Sequence, residues 1–376
     1  MKKKIKVLLV APYSKEKVGG IGTWTKLILD YSESVDDVEL LFQNTVHTLP
    51  KRWSMNNRLA HFFVGSIDSL LILLKLFYNL CFKKPEVVHY TSSAANALYK
   101  DRIAAFISNK LFKTTFVIHW RFGRIPAIFI DRGREYKRFI KVLDLVSVSI
   151  VLDSASDLVL KNEGYKVELI PNPISQTIHT IAKKNVKGDL QIKRNHGTVL
   201  FVGHMLDTKG VFEIVKACAI CKQVKKLIMV GPFFDETVKE KLIELSKERD
   251  NGNWLFLLGE KPREQVWEYY KTCSLFCLPS YTEGFPNVIL EAMAFACPIV
   301  ATKVGAIPEM LSDGCGELID AHRVEPLVEA INNLLVNLEL ADKMGERARL
   351  KVLNSYSIDT IFDRYYKVWN NNTLWD

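Results

Sequence analysis

Apolar and polar residues alternate along the first half of the chain in two different periods. Five short runs of β-branched and aliphatic residues are separated by longer stretches in which apolar residues recur every three to four positions. The runs predict buried strands at residues 5–10, 38–42, 87–90, 115–119 and 146–151. The stretches predict helices at residues 23–32, 102–111 and 135–143. This alternation of strand and helix predicts a parallel, doubly wound sheet.

The same pattern begins again after the polar, lysine-rich segment 183–196. The predicted strands of this second series are residues 198–202, 227–230, 254–258, 275–278 and 299–301. Its predicted helices are residues 211–221, 237–247, 264–272, 287–295 and 325–337. A chain of 376 residues is long enough for two domains of ordinary size.

The predicted organisation is therefore two Rossmann-like α/β domains. Residues 1–180 form the first, an acceptor-binding domain, and residues 181–355 form the second, a nucleotide-sugar-binding domain. A C-terminal helix within residues 356–376 is expected to pack back on the first domain. The two sheets are expected to face each other across a cleft that holds the ligands, because ligands of such sheets bind at the carboxyl ends of the strands.

Composition and cysteine usage indicate a soluble protein kept in the cytoplasm. Apolar residues make up 48% of the chain and charged residues 25%, which is typical of a globular protein. The seven cysteines are odd in number and scattered through apolar segments, as expected of a reduced compartment. The first predicted strand begins at residue 5, which leaves no room for the apolar core of a secretion signal.

One stretch, residues 62–82, approaches the length of a membrane span. It contains Asp68, Lys75 and Asn79, and polar groups of this kind make a spanning helix costly. We therefore predict a buried or interfacial helix, with membrane contact as the alternative.

The net charge of +9 is distributed unevenly. Residues 1–180 hold 26 Lys and Arg against 16 Asp and Glu, whereas residues 181–376 hold 25 against 26. The basic residues that we assign to acceptor or membrane binding are Arg121, Arg124, Arg132, Arg134, Lys137 and Arg138. Such a patch attracts the phosphates of an anionic lipid or a lipid-diphosphate substrate. A solvated helix face is the alternative, and nucleic acid is not expected because no reader motif accompanies the patch.

The segment PSYTEGFPNVILEAMA, residues 279–294, carries the densest chemistry. A strand ends before it, and Pro286 stands where a helix can begin without needing a backbone donor. The backbone amides of Asn287, Val288 and Ile289 would then be donors at a helix N-terminus. Such a terminus is suited to a diphosphate.

Two carboxylates, Glu283 and Glu291, lie eight positions apart in this segment. A carboxylate near such a helix terminus can accept two hydroxyl hydrogen bonds, which is what binding a ribose or a hexose requires. A surface position is the alternative for either residue taken alone.

This Glu-x7-Glu arrangement resembles the signature of glycosyltransferase family 4, a large family of retaining GT-B glycosyltransferases. The resemblance extends over nearly the whole chain. The further matching segments are Gly19-Gly-Ile-Gly-Thr-Trp, His119 at a strand end, Ile170-Pro-Asn-Pro, Phe201-Val-Gly-His with Lys209-Gly, and Pro308-Glu-Met.

The resemblance implies roles for individual positions. Glu291 matches the ribose ligand, Glu283 the carboxylate on the donor sugar, and Lys209 the cation that neutralises the leaving diphosphate. His119 matches a histidine that lines the transferred sugar, so the implied catalytic residues are His119, Glu283 and Lys209. The implied donor-binding residues are Gly20, Gly22, Gly203, His204, Lys209, Gly284, Phe285, Pro286, Asn287, Val288 and Glu291.

The chain departs from the family pattern at two positions. His204 stands where Arg is common, and a histidine is a cationic donor to phosphate only when it is protonated. Cys297 stands where glycine is usual, which is expected to alter packing only.

The expected reaction is metal-independent. The sequence contains no Asp-x-Asp pair, so Lys209, His204 and the helix N-terminus near Asn287 are expected to stabilise the leaving diphosphate. The resemblance implies retention of the anomeric configuration, without a covalent nucleophile and without a cofactor. We expect a UDP-sugar donor and a glycan or lipid-linked acceptor of envelope polysaccharide synthesis, with the enzyme cytoplasmic or peripheral on the cell membrane.

Two other interpretations stay open. A nucleotide-sugar isomerase on the same fold would need further acid–base residues, which we do not identify. A non-catalytic nucleotide-sugar-binding subunit is favoured only by His204, whereas the intact Glu283, Glu291 and Lys209 argue against it.

Overall fold

The computed structural model describes residues 4–14, 20–46, 58–186 and 194–370 of the chain. These residues divide into two compact units, each built on its own sheet. The first unit comprises Met1–Pro173 together with Ile358–Asp376, and the second comprises Ile174–Ser357.

The first unit holds a parallel sheet of six strands in the order β2-β1-β3-β4-β5-β6. Its strands are β1 (Ile5–Ala11), β2 (Val38–Asn44), β3 (Val87–Ser92), β4 (Thr115–Trp120), β5 (Val148–Val151) and β6 (Val167–Leu169). Its helices are α1 (Gly20–Ser32), α2 (Arg58–Phe82), α3 (Leu98–Ala105), α4 (Ile125–Asp131), α5 (Arg134–Leu143), α6 (Ser154–Asn162) and α15 (Ile358–Trp369), and a π-helical segment, Phe106–Leu111, continues α3.

The second unit holds another parallel sheet of six strands, in the order β12-β11-β10-β7-β8-β9. Its strands are β7 (Asn195–Val202), β8 (Lys226–Val230), β9 (Leu255–Leu257), β10 (Cys273–Leu278), β11 (Ile299–Thr302) and β12 (Glu317–Ile319). Its helices are α7 (Gln176–Val186), α8 (Val211–Ile220), α9 (Glu236–Ser246), α10 (Arg263–Thr272), α11 (Asn287–Ala294), α12 (Ile307–Met310), α13 (Val324–Val336) and α14 (Leu338–Ser355).

The sequence of β1 is almost continuously apolar because the strand is buried on both faces of the sheet. Val7 and Leu9 pack into the core on one face of the sheet, while Leu8 and Val10 pack into the core on the other. A parallel strand covered by helices on both faces is buried at every position. The face that holds Val7 and Leu9 is covered by α1 and α15.

The fold class predicted from the sequence, GT-B with two doubly wound parallel sheets, is confirmed. All ten predicted strands have counterparts, and β6 and β12 were not predicted. Each of these two edge strands has three residues, which makes a hydrophobic period hard to detect. The edge strand β9 is equally short, but it was predicted because it lies within the longer apolar run of residues 254–258.

The division between the units differs from the predicted boundary after residue 180. Ile178 and Ala182 of α7 are buried in the core of the second unit, so the second unit begins at Ile174. The segment 183–196, predicted as a polar connection, includes the last turn of α7 and the start of β7.

The helix α2, predicted to be buried or interfacial, lies at the surface with a large apolar face exposed. Its polar residues Asp68 and Asn79 are buried, and Asn79 Nδ2 donates to Gln43 Oε1 at 2.9 Å. Its exposed large apolar residues are Ile67, Leu70, Leu71, Leu74, Phe77, Tyr78 and Phe82. Among the described residues, the stretch Gly65–Phe82 is the one helical window long and apolar enough to cross a membrane.

Candidate functional site

The candidate site of the second unit lies where the strand order of its sheet reverses. The strands β7 and β10 are neighbours, and the chain continues from β7 to one side and from β10 to the other. The crevice at the carboxyl ends of two such strands is the usual ligand site of a doubly wound sheet.

Backbone hydrogen bonds hold three loops together at this crevice. The Tyr281 amide donates to the Thr208 carbonyl at 2.9 Å, which joins the loop after β10 to the loop after β7. The Ala306 amide donates to the Gly284 carbonyl at 2.9 Å, which joins the loop after β11 to the same β10 loop. The loop that contains Glu283 is therefore fixed from both sides.

Two glycines allow these loops to approach. A Cβ on Gly210 would lie 2.1 Å from the Pro279 carbonyl oxygen, and a Cβ on Gly305 would lie 2.3 Å from the Glu283 carbonyl oxygen. Both residues have positive φ, +68° and +55°, which only glycine adopts readily. Gly305 was not predicted; a glycine just after a strand end is the signal that marks it.

Lys209 and Glu283 form an ion pair at the crevice. Lys209 Nζ lies 2.7 Å from Glu283 Oε1, which also accepts a hydrogen bond from Ser280 Oγ at 2.7 Å. The two side chains are 24% and 11% exposed, so the pair is largely shielded from water. The sequence assigned Lys209 to the diphosphate and Glu283 to the sugar, and the structure brings these two residues together.

Glu291, on the first turns of α11, has a partner that was not predicted. Arg263 donates from Nε at 3.1 Å and from Nη2 at 2.6 Å, both to Glu291 Oε1. Glu291 is 12% exposed, so the carboxylate stands at the edge of solvent with one oxygen held by a rigid guanidinium. Arg263 begins α10, and nothing in its local sequence links it to a residue 28 positions later.

The N-terminus of α11 has one backbone donor fewer for a ligand than the sequence predicted, because the Ile289 amide is already hydrogen-bonded. Pro286 caps the helix, which begins at Asn287, and the Ile289 amide donates to the Pro286 carbonyl at 3.0 Å. The amide of Ile289 is therefore used inside the turn. Val288 follows Asn287 in the first turn, and both side chains are partly exposed.

The other predicted donor residues of this unit lie on the same loops. His204 is exposed after β7, and its ring meets the exposed Phe234 edge-on at 5.1 Å between centroids. Gly203 precedes it, and the Gly203 amide donates to the Val230 carbonyl. Phe285, next to Gly284, packs near Tyr356 at 5.9 Å between ring centroids.

In the first unit, Gly20 and Gly22 do not form a loop. They occupy the first turn of α1, whose start precedes the predicted one by three residues, and Gly19 lies outside the described residues. Thr25 Oγ1 of the next turn is 3.0 Å from the Pro12 carbonyl oxygen, which ties α1 to the end of β1.

His119, near the end of β4, is wholly buried among aromatic rings. Its ring centroid lies 5.0 Å from that of Trp24, 5.4 Å from that of His89 and 5.8 Å from that of Tyr365. Burial, together with the nearby charge of Arg121, lowers the pKa of His119 well below its usual value. The histidine is therefore neutral at physiological pH.

Arg121 stands apart from the other predicted basic residues. Its guanidinium carbon lies 4.6 Å above the ring of Trp24, and its Nη1 lies 3.0 Å from His119 Nε2. Burial lowers the pKa of Arg121 to about 10, so the side chain keeps its charge. Among the described residues, no carboxylate lies within 4.0 Å of this guanidinium.

The rest of the basic patch divides into two groups. Arg124 donates twice to Glu135, at 2.8 and 2.6 Å, and Arg132 lies 3.9 Å from Glu163. The second group lines a surface cavity of about 290 Å³ between α3 and α5. The residues around it are Leu98, Tyr99, Arg102, Arg134, Lys137, Arg138 and Lys141.

The described part of the chain holds no group of three or more His, Cys, Asp and Glu side chains placed to bind a metal ion. The cysteines of the described residues are free thiols, and Cys297 Sγ lies 3.8 Å from Cys273 Sγ inside the second core.

Solved structures share the fold at low sequence identity. Sucrose-phosphate synthase from Thermosynechococcus elongatus has a TM-score of 0.75 at 16% identity, covering 98% of this chain and 99% of that one. HepE of Anabaena in complex with UDP has a TM-score of 0.71 at 17% identity, covering 98% of this chain and all of that one.

Sequence relatives are glycosyltransferases by name. An uncharacterized glycosyltransferase of Haemophilus influenzae is 31% identical over 193 residues, which are 50% of this chain and 52% of that protein. The capsular polysaccharide biosynthesis glycosyltransferase CapM of Staphylococcus aureus is 22% identical over 334 residues, 81% of each chain. The first curated relatives are matched over about half of their own length or less. Residues 182–351, most of the second unit, match the family described as glycosyl transferases group 1.

Proposed function

We propose that this protein is a retaining, metal-independent glycosyltransferase that moves a sugar from UDP onto a glycan or lipid-linked acceptor. The observation that carries the proposal is the pair of carboxylate–cation contacts at the crevice of the second sheet. Lys209 with Glu283 and Arg263 with Glu291 supply, within one unit, groups suited to a diphosphate, a sugar and a ribose.

The proposed donor site works by exchange of partners. A diphosphate entering the crevice offers Lys209 an anionic oxygen in place of Glu283 Oε1, and charge-assisted hydrogen bonds to phosphate are strong. Ser280 Oγ, 2.7 Å from Glu283 Oε1, holds that carboxylate when Lys209 leaves it. Glu283 is then free to accept hydrogen bonds from hydroxyls of the donor sugar.

Glu291 is proposed to bind the ribose. Arg263 contacts only Oε1 of this carboxylate, so Oε2 can accept a ribose hydroxyl without loss of the pair. The guanidinium also holds the Glu291 carboxylate in one orientation before the nucleotide arrives. Preorganisation of this kind lowers the entropic cost of binding.

The leaving diphosphate is proposed to be stabilised by protein groups alone. Lys209 supplies the charge at the crevice, and exposed His204 and the N-terminal turn of α11 lie on adjoining loops of the same unit. Fixed donors of this kind stabilise developing charge without reorganising during the reaction.

The relatives support the reaction and the class of product. CapM is named for capsular polysaccharide biosynthesis, and a relative in Bacillus subtilis is named for teichuronic acid biosynthesis. The HepE structure of the same fold holds UDP. We therefore place the donor among UDP-sugars and the acceptor among envelope polysaccharide precursors.

A donor screen tests the proposal. The protein is incubated with UDP-glucose, UDP-galactose and UDP-N-acetylglucosamine in excess EDTA, and UDP release is measured with and without membrane extract as acceptor. We expect release from at least one donor, increased by the extract. Conversion of the donor to another UDP-sugar would establish an isomerase instead, and a strict need for manganese or magnesium would contradict the electrostatic account.

We also propose that the first unit binds an anionic membrane surface from the cytoplasmic side. The helix α2 exposes a row of large apolar side chains, whereas its polar residues Asp68 and Asn79 are buried. Tyr99 and Ile103 on α3 and Phe106 in the π-helical segment that continues it are also exposed, and α3 borders the cavity lined by Arg134, Lys137 and Arg138. Apolar and basic groups on adjoining helices fit the interface of an anionic bilayer.

The apolar segment beside the basic patch is largely excluded from this surface. The apolar segment 125–130 forms most of α4, and Ile125, Ile128 and Phe129 are buried in the core of the first unit. Ile130, 84% exposed, is the large apolar residue of this segment that stays on the surface.

Vesicle sedimentation tests the membrane proposal. Binding to vesicles with 30 mol% phosphatidylglycerol should be strong at low salt and fall as salt is raised, because the Debye length shortens from about 30 Å to about 10 Å between 0.01 and 0.1 M. Joint replacement of Arg134, Lys137 and Arg138 by Gln should weaken binding, whereas Lys343→Gln, an exposed change in the second unit, should not. Equal binding to neutral vesicles would contradict the role of the basic cavity.

A further inference from the structure

Four side chains in the first unit form a continuous row of nitrogen contacts. Trp369 Nε1 donates to His89 Nδ1 at 3.0 Å, and His89 Nε2 lies 3.3 Å from His119 Nδ1. At the other end, His119 Nε2 lies 3.0 Å from Nη1 of Arg121. The row therefore contains three contacts between four groups.

The row holds one hydrogen more than its contacts can use. An indole and a guanidinium are donors only, and each neutral imidazole carries one N–H. Burial lowers the pKa of His89 to about 3 and that of His119 well below its usual value, so each ring has a single hydrogen. Four hydrogens then face three contacts, and one contact is donor against donor whichever tautomers form.

The position of the surplus hydrogen follows from the two ends of the row, which are both donors. Because the indole of Trp369 donates, His89 accepts at Nδ1 and carries its hydrogen on Nε2. The ring of His119 then lies between this N–H and the guanidinium of Arg121, and it can accept from only one of them. The donor–donor contact is therefore on one side of His119, either at 3.3 Å with His89 Nε2 or at 3.0 Å with Arg121 Nη1.

The Arg121 end is also the end that can open. Trp369, His89 and His119 are at most 1% exposed, whereas Arg121 is partly exposed. The Nε of Arg121 is buried without a hydrogen-bond partner among the described residues. An unpartnered guanidinium donor and the ring of His119, which lies between two donors, thus meet at the carboxyl end of β4.

We infer that Arg121 and His119 together bind a phosphoryl oxygen of a substrate. An anionic oxygen between the two side chains accepts from the guanidinium and from His119 Nε2–H, while His119 Nδ1 accepts from His89, so that no donor–donor contact remains in the row. A phosphate has further oxygens for Nε of Arg121, and a guanidinium matches that geometry with two parallel hydrogen bonds. The inference rests on the proposed transferase function, which supplies phosphorylated substrates.

The indole of Trp24 can report ligand binding at Arg121 through its N–H signal. The guanidinium lies over this ring, and Trp24 Nε1 donates to Tyr365 Oη at 3.1 Å. Movement of Arg121 onto a phosphate changes the environment of the Trp24 indole, and a change in the His119 contact passes along the row to Trp369.

The experiment follows the indole N–H signals of the full chain by ¹⁵N-TROSY NMR, assigned with Trp→Phe variants. Pyrophosphate is titrated at constant ionic strength. We expect saturable shifts of the Trp24 and Trp369 signals, and a tenfold or larger loss of pyrophosphate affinity in Arg121→Gln. Lys26→Gln, which removes the same charge from an exposed position on α1, should retain the parent affinity.

Arg121→Lys covers the case in which the Gln variant does not fold. It keeps the positive charge but removes the planar guanidinium that can donate two parallel hydrogen bonds. We therefore expect weaker pyrophosphate binding with an unchanged midpoint of thermal unfolding. Unshifted Trp24 and Trp369 signals in the parent protein, or equal affinity in Arg121→Lys and the parent, would overturn the inference.

Two further probes distinguish the source of the phosphate. If UDP shifts the Trp24 signal, and Arg121→Lys abolishes that shift, the phosphoryl oxygen belongs to the donor. If farnesyl diphosphate shifts it in protein already saturated with UDP, the oxygen belongs to a lipid-linked acceptor. Pyrophosphate binding without any sugar transfer would leave the site intact and refute the transferase, whereas transfer with parental kcat/KM in Arg121→Lys would refute the site alone.

Discussion

The two units treat buried charge in opposite ways. At the crevice of the second unit, Glu283 and Glu291 are each paired with a cation at 2.6–2.7 Å. In the first unit, Arg121 faces a neutral histidine, and the buried carboxylate of Asp101 is held by the hydroxyl of Ser92.

The difference separates two ways of preparing a binding site. A paired charge costs less than an unpaired one while the site is empty, but a ligand that takes over a paired group, as proposed for Lys209, must displace its partner. An uncompensated buried charge destabilises the protein while the site is empty, but it can bind an anionic ligand without first losing a partner. The second unit therefore uses paired charges, and the first unit uses an uncompensated charge.

The largest expected effect tests the paired site. Lys209→Met removes the cation proposed to meet the leaving diphosphate, and loss of one such donor lowers kcat by roughly 10²–10³-fold. Initial rates of UDP release measure this change. Lys216→Met, an exposed position on α8, is the matched control, and a loss below fivefold in Lys209→Met would remove Lys209 from the reaction.

The next effect concerns the second pair. Hydrogen bonds to a charged group contribute about 1.5–3 kcal/mol, so Glu291→Ala should weaken UDP binding at least tenfold in calorimetry. Arg263→Gln should reduce UDP affinity less than Glu291→Ala does. The double variant should lose less binding free energy than the sum of the two single variants, because the two residues act through one contact.

Glu268→Ala provides the control for the Glu291 change. Glu268 is exposed and pairs only with Lys271 within α10, so UDP affinity should not change. Strict additivity of Glu291→Ala and Arg263→Gln would show that the pair is not a functional unit.

A third prediction concerns the carboxylate of the first unit. Burial raises the pKa of Asp101 to about 6, from 3.8 when exposed. The folded protein therefore binds this proton more tightly than the unfolded chain does, and stability is lost as pH rises from about 4 through 6. Asp101→Asn should remove this loss and stabilise the protein by about 3 kcal/mol at pH 8.

Urea unfolding at pH 4 and pH 8 measures the effect of Asp101→Asn. The variant and the parent should be close in stability at pH 4 and separate at pH 8. Destabilisation by Asp101→Asn at pH 8 would mean that the carboxylate has a cationic partner in solution.

The smallest expected effect compares the two cations directly. Arg121→Met keeps the packing on Trp24 and removes an uncompensated charge, so it should stabilise the protein by about 1 kcal/mol. Lys209→Met leaves Glu283 without its cation and should destabilise the protein. Urea midpoints that shift in the same direction for both variants would contradict the comparison.

The sequence predicted the fold well for a physical reason. Strands buried on both faces appear as uninterrupted apolar runs, and helices appear as a period of 3.6, so both signals are local. Ten strands were found this way, whereas the three-residue strands β6 and β12 do not lie within longer apolar runs. The Glu283 and Glu291 spacing is also local, which is why these two positions could be selected from one segment.

Partners distant in sequence were beyond local patterns. Arg263 contacts Glu291 across 28 positions, and Lys209 contacts Glu283 across 74. The outward orientation of the apolar face of α2 also depends on a contact between distant residues. Asn79 of α2 donates a hydrogen bond to Gln43 of β2, so this polar side of the helix faces the sheet.

The sequence by itself determined the two parallel sheets, their helices and the segment that supplies Glu283 and Glu291. Only the tertiary structure separated Arg121 from the rest of the basic patch, which reads as a single run of positive charge along the chain. The reason is that charge is a property of each residue, whereas burial and the supply of counter-ions are properties of what the fold places around it. Arg121, two positions after His119, lies over Trp24 without a carboxylate in the described structure, while Arg124, three positions further on, is paired with Glu135.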